Sequence, residues 1–189
     1  GLAWYESGAR SFYNRVRPVY RLDDLVGLKI RVQESEVMHD LVSALGAAPI
    51  SIGFKQVFSN LHTGAIDGAE NNLPSFLSER HFEVAKFYSY DRHSMIPDVL
   101  LVEAKTWHKL SRDAQAALRR SAQASSGAQR GFWDEFSREA LRKVEAAGVA
   151  VNEVDDMAAF SLAAEPVYER HAGEFGAWIA RIRADRDTD

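Results

Sequence analysis

An arginine between an isoleucine and a valine, Arg31 in the run I-R-V at 30–32, is the residue of this chain best suited to chemistry. Its neighbours are of the kind that fill buried strand positions, and a guanidinium enters such surroundings only when an anion compensates it. That anion is either a carboxylate of the chain, giving a structural ion pair, or one carried by a ligand. Two parallel N–H donors match the two oxygens of a carboxylate. Phe54 and Asn71 stand at comparable places downstream, so an arginine, an aromatic and an amide surround one pocket. Asp67 and Glu70 resemble a catalytic carboxylate pair. The sequence predicts instead that they hold a turn, because a free carboxylate beside an acidic ligand repels it.

Those residues need a scaffold, and 27–72 supplies one. Residues 30–32 read as a strand. Ser35 then caps a helix whose apolar positions Val37, Met38, Leu41, Val42 and Leu45 share a face until Gly46 stops it. Residues 49–52 form a second strand, Val57, Phe58 and Leu61 mark one face of a short helix ending near Gly64, and Ile66 opens a third strand. This alternation predicts an α/β fold, a mostly parallel sheet with flanking helices, in which ligands gather beyond the carboxyl ends of the strands. Arg31, Phe54 and Asn71 each fall at such an end. Further on, 99–102 reads as an apolar strand and 104–110 as a short helix. A long helix over 112–147 is capped by Ser111, with Phe132, Phe136, Ala140 and Val144 repeating every four residues and Gly127 and Gly131 weakening it. A last strand at 149–154 leads through Asp155, as N-cap, to a helical tail over 157–182 interrupted at Pro166 and Gly173; the acidic end, 185–189, is expected to fray.

Composition removes several function classes. With 189 residues, 46% hydrophobic and 26% charged, the chain can bury a sizeable core. A net charge of -4 and scattered basic residues disfavour a nucleic-acid surface; three of Arg10, Arg15, Arg17 and Arg21 read as a solvated face. The absence of cysteine excludes disulfides and thiol catalysis. No apolar run is long enough to span a membrane. There is no Gly-rich nucleotide loop, nucleophile elbow or zinc-protease motif, and the six histidines lack ligand spacing, so neither metal nor cofactor is expected.

The run G-L-K-I-R-V at 27–32, the L-G-A at 45–47 and F-K-Q-V-F-S-N-L-H-T-G-A-I-D-G-A-E-N at 54–71 closely resemble the solute-binding proteins of tripartite ATP-independent periplasmic (TRAP) transporters, of the DctP type. The likeness extends through W-Y-E-S-G-A-R-S-F-Y-N at 4–14, R-H-F-E-V-A-K-F-Y at 80–88 and 97–111, covering nearly the whole chain. It implies one lobe of a periplasmic-binding-protein clamshell of type II, with a long helix spanning both lobes. Family members are longer, so the chain is expected to lack most of its first lobe, and a missing signal peptide says nothing against export to the periplasm. On this reading 1–96 holds the inter-lobe strand and the core of the ligand-binding lobe. Residues 97–136 return to the first lobe and begin the spanning helix, and 137–189 complete the second lobe.

The resemblance also assigns residues. Arg31 occupies the slot of the arginine that grips the ligand carboxylate, Arg10 a second ligand-contacting position, Asn71 the amide of the Q-E-N-P motif, and Phe54 an aromatic against the ligand body. Here that motif reads A-E-N-N, and the extra amide, Asn72, suits a ligand richer in hydroxyls. His93 is expected to face the cleft or to be a hydrogen-bonded structural residue; Tyr13 and Gln33 are further candidates. The wording E-N-N-L-P-S, G-A-R-S-F-Y and H-S-M-I-P-D-V is similar to the subgroup taking hexuronates and related sugar acids. The expected partners are therefore a sugar acid and a membrane permease. Two other readings stay open: an enzyme on an acidic substrate, with Arg10 and Arg31 as clamp and His93 as general base, and the sensor domain of a receptor.

Overall fold

In the computed structural model, residues 1–186 are described, with side chains to 184; the fraying expected of 185–189 lies outside the described side chains. The elements run β1 (Ala3–Tyr5), β2 (Ala9–Asn14), β3 (Lys29–Val32), α1 (Glu36–Ala44), β4 (Ala48–Ser51), α2 (Val57–Thr63), β5 (Gly68–Asn71), α3 (Leu73–Ser78), β6 (Phe87–Met95), β7 (Asp98–Leu100), α4 (Ala104–Lys109), α5 (Arg112–Ala146), β8 (Ala150–Glu153) and α6 (Met157–Arg186). Six strands form one sheet in the order β4-β3-β5-β2-β6-β8. Pairs β3–β4, β3–β5 and β6–β8 are parallel, and only β2 runs against its neighbours. The mostly parallel sheet expected from the alternation is therefore present.

Strand alternation sends successive side chains to opposite faces, and each face has its own core. Ile30 and Val32 of β3 join Phe12, Leu28, Met38, Val42 and Phe160 on the face covered by α1 and α6. Tyr13, Ala69 and Tyr88 join Leu61, Phe76, Ala140 and Val144 on the face covered by α2, α3 and the last turns of α5. The predicted caps hold: Ser35 Oγ accepts from the Met38 amide and Ser111 Oγ from the Ala114 amide. Gly46 and Gly64 stop their helices with φ of 94° and 77°, a region costly for any residue carrying a Cβ.

Four expectations need correction. The strand expected over 99–102 is shorter and lies outside the main sheet: β7 pairs antiparallel with β1 in a two-stranded ribbon. That ribbon rests on the middle of α5, where Tyr5 Oη meets Ser125 Oγ at 2.8 Å and Gln129 bonds both backbone groups of Glu6. The apolar stripe of α5 is buried only at its carboxyl end: Ala140 and Val144 are inaccessible, whereas Phe132 is 70% exposed. Asp156, not Asp155, caps α6, through the Ala159 amide; Asp155 faces Arg21 instead. Finally, α6 is continuous across Pro166 and Gly173. Burial of Phe160, Ala164 and Val167 and the pairing of Arg170 and His171 with Asp40 of α1 hold the helix where its sequence would break it.

Candidate functional site

Strand registers bring the candidate residues to one edge of the sheet. Arg31 lies opposite Ala69 in β5, Asn71 opposite Ser11 in β2, and Arg10 opposite Ser94 in β6. Because β2 runs antiparallel, its first residues share this edge with the last residues of β3, β5 and β6. The register between β2 and β6 shifts between Arg10, opposite Ser94, and Phe12, opposite Ser89, so the extra residues bulge from β6 while Arg10 stays on the face of Phe12 and Glu70.

Arg31 is 4% exposed, yet among the described residues its only hydrogen-bond partner is a backbone carbonyl: Nε donates to Ile52 O at 2.8 Å. Its guanidinium lies 5.7 Å from the centre of the Phe54 ring. No carboxylate pairs with it among the described residues, and both terminal nitrogens lack a protein acceptor. Burial lowers its pKa, so desolvation is not met by an internal anion. The structural ion pair considered for Arg31 is therefore not formed. A guanidinium in this condition gains from any carboxylate that reaches it, since both oxygens find donors already in place.

Arg10 is in the opposite condition. Nε donates to Glu70 Oε2 at 2.5 Å, Nη2 to Glu70 Oε1 at 2.9 Å and to Glu70 O at 3.0 Å, and Nη1 to Asn71 Oδ1 at 2.9 Å. Its charge is cancelled within the chain. Through Nη1 it instead fixes the Asn71 amide, whose Oδ1 also accepts from the Asn72 amide, leaving the Asn71 NH2 without an acceptor among the described residues. Glu70 thus does not hold a turn as predicted, because it sits inside β5, fully buried. Burial works to raise its pKa, but His93 and Arg10 outweigh it and keep the carboxyl below the usual carboxylate range. Asp67 does the expected work, accepting from the Lys29 amide at 2.9 Å.

The remaining candidates divide. Asn72 is the N-cap of α3, with Oδ1 on the Ser75 amide and Nδ2 on Ser7 O, so both ends of its amide are spent on the fold. Tyr13 is a core residue whose hydroxyl meets His81 Nδ1 at 2.8 Å. Gln33 is partly exposed just beyond β3, with no side-chain hydrogen bond among the described residues. Phe54 opens the single 3-10 turn before α2, beside Arg31 and edge-on to His81 at 6.1 Å between ring centres.

The His93 side chain is 3% exposed and lies below the cleft edge. Its Nδ1 is 2.8 Å from Asp91 Oδ2, its Nε2 is 3.5 Å from Glu70 Oε2, and its ring packs on Phe12 at 4.6 Å. Burial works against its charge, but Asp91 and Glu70 prevail and raise its pKa to about 9. A histidine that already carries its proton cannot serve as the general base of the enzyme reading.

Sequence reasoning missed His81 and Asp91. Burial, and secondarily the charge of Arg31, lower His81 to about 4, so at neutral pH it is an uncharged hydrogen-bonding partner. Its position in R-H-F-E-V carries no spacing signal, and it reaches Tyr13 only through folding. Asp91 and His93 lie two residues apart on β6, but on either side of Arg92, whose φ is 47°, and within the stretch where the β2–β6 register shifts, so strand alternation does not disclose their pairing.

The model of the bacterial extracellular solute-binding proteins of family 7, DctP, matches residues 1–174, and the chain belongs to that family. A solute-binding protein of Chromohalobacter salexigens is 39% identical over 92% of this chain and 52% of its own length. A TRAP periplasmic solute-binding protein from the same species, solved with bound D-glucuronate, superposes with a TM-score of 0.94 at 36% identity, covering 100% of this chain and 62% of that one. Another, from a Bradyrhizobium species and in complex with D-galacturonate, is 44% identical with a TM-score of 0.91 over 97% of this chain and 62% of that one. The chain thus spans about half the length of the curated relative it matches.

Proposed function

We propose that this chain is the ligand-binding lobe of a periplasmic TRAP solute-binding protein that captures a hexuronate or related sugar acid and delivers it to the membrane permease. The observation that carries this reading is Arg31, a nearly inaccessible guanidinium with no anion paired to it among the described residues. The ligand carboxylate completes it, bridging both terminal nitrogens. Phe54 packs against the sugar body, and Asn71, held by Arg10, offers its NH2 to a ring or hydroxyl oxygen. The uronates bound by the two similar structures support the choice of ligand.

On this reading no bond is made or broken. Residues 1–96 carry the site, 97–136 reach toward a first lobe, and 137–189 complete the second. Closure of the two lobes is a population shift: the ligand touches both walls only in the closed state, and that difference in contacts stabilises closure. Among the described residues no helix is long and apolar enough to cross a membrane.

A thermal-shift screen of the two-lobed protein tests this. D-glucuronate or D-galacturonate is expected to raise Tm, with succinate, pyruvate and amino acids giving smaller shifts. Preference for succinate would overturn the sugar-acid assignment, and no response to any organic acid would overturn the solute-binding role.

A further inference from the structure

Resting on that proposed role, we infer that the buried groups behind the site are balanced so that this wall presents one uncompensated positive charge, and that this balance selects singly over doubly charged sugar acids. Four charged groups run behind the cleft edge: Arg10, Glu70, His93 and Asp91. Arg10 meets both oxygens of Glu70, at 2.5 and 2.9 Å. His93 stands between Glu70 at 3.5 Å and Asp91 at 2.8 Å. Two cations face two carboxylates, and Arg31 alone is left over among these residues. His81, which feels the charge of Arg31, is neutral. A hexuronate brings one carboxylate and closes the balance. A hexarate differs in having a second carboxylate where the hexuronate has its aldehyde carbon, and among the buried groups named here no second cation is free to receive it.

The state of His93 decides the balance, so its surroundings matter from every side. Glu70 comes from β5, Arg10 from β2 and Asp91 from β6, with the Phe12 ring against the imidazole. On the α1 and α6 side it borders a cavity of about 660 Å3 whose other ionisable groups are already matched: Glu165 with Arg183, His171 with Asp40, and Arg92 with Glu153. Nothing there competes for its proton.

The test uses the two-lobed protein, with D-glucuronate and D-glucarate as probes in titration calorimetry. The wild type is expected to favour glucuronate. Glu70→Gln leaves Arg10 uncompensated and should shift the affinity ratio toward glucarate by about tenfold; His93→Gln should shift it about tenfold the other way. The double variant restores the balance and should restore the wild-type ratio. A merely structural role for these residues weakens both ligands alike, so a ratio constant across all four proteins overturns the inference while leaving glucuronate binding, and with it the proposed function, intact. Loss of glucuronate binding by the wild type would instead strike the proposed function. Should either single variant fail to fold, the wild type still decides: its glucuronate affinity should fall as pH rises through about 9, where His93 loses its proton. A flat profile from neutral pH past that point overturns the inference.

Discussion

Arg31 and Arg10 show how two arginines at one sheet edge acquire different roles. Arg10 lies against a buried carboxylate and becomes part of the scaffold, whereas Arg31 has, among the described residues, the Ile52 carbonyl and a ring but no carboxylate. Arg31→Ala should therefore weaken ligand binding by about 2 to 5 kcal/mol, roughly 30-fold to several thousand-fold in Kd. Arg31→Lys should be nearly as poor, because the ammonium keeps the charge but loses the fork. Calorimetry on both variants checks this, and a change below about threefold for Arg31→Ala would reject the anchor. The two histidines give the fold opposite pH dependences. His81 titrates near 4 when folded, below its ordinary value near 6.5, so the unfolded chain binds more protons between these limits and stability falls as pH drops through them. His93 titrates near 9 when folded, so the stability it contributes is complete below about 6.5 and is lost as pH rises toward 9. Tm measured against pH should show a weaker acid loss in His81→Gln and a weaker alkaline loss in His93→Gln. Parallel curves for wild type and variants would contradict the assignments.

Elements differ in how much room they leave, and the glycines measure it. A Cβ on Gly68 would lie 2.4 Å from Tyr13 O, 2.7 Å from Asn14 Cβ and 2.9 Å from Ile30 Cδ1, so β5 must move to admit it. Gly68→Ala should destabilise by about 1 to 3 kcal/mol, and by moving β5 should also disturb Glu70 and Asn71. Gly127 and Gly131 of α5 have nothing within 4 Å of such an atom, and alanine at either should stabilise by about 0.5 to 1 kcal/mol. Urea unfolding of the three variants separates the cases. The same contrast explains what the sequence discloses. Caps at Ser35 and Ser111, the stops at Gly46 and Gly64 and the alternation from β3 to β5 are local, and all are readable from residue types. Arg31 was legible because an arginine between Ile30 and Val32 conflicts with its surroundings. By contrast, the Arg10–Glu70 pair joins residues sixty positions apart, and it depends on the β2–β5 register, which no local spacing encodes. The continuity of α6 across Pro166 was hidden for a related reason: its support comes from α1 and the core, not from its own residues.

The exposed apolar surface of the whole molecule is concentrated away from the main sheet's two cores. Leu101, just past the ribbon, is 67% exposed, Phe132 of α5 70% and Trp178 of α6 62%. Apolar area of this kind marks surfaces meant to be covered, and a first lobe against the ribbon and the outer half of α5 is the cover we propose. Expressed alone, the 189 residues should self-associate, and they should bind a sugar acid far more weakly than the two-lobed protein, since water keeps access to the Arg31 salt bridge and reduces it toward the about 0 to 1 kcal/mol of an exposed pair. Light scattering and a titration of both forms measure this; equal affinities would show that one wall suffices. The central claim is narrower: a ligand carboxylate completes Arg31. It is tested most directly by a crystal structure of the two-lobed protein grown with D-glucuronate or D-galacturonate. Both carboxylate oxygens are expected about 2.7 to 2.9 Å from the two terminal nitrogens of Arg31, with Arg10 still on Glu70. A carboxylate seated on Arg10, or any pose leaving Arg31 without an anion, would contradict it.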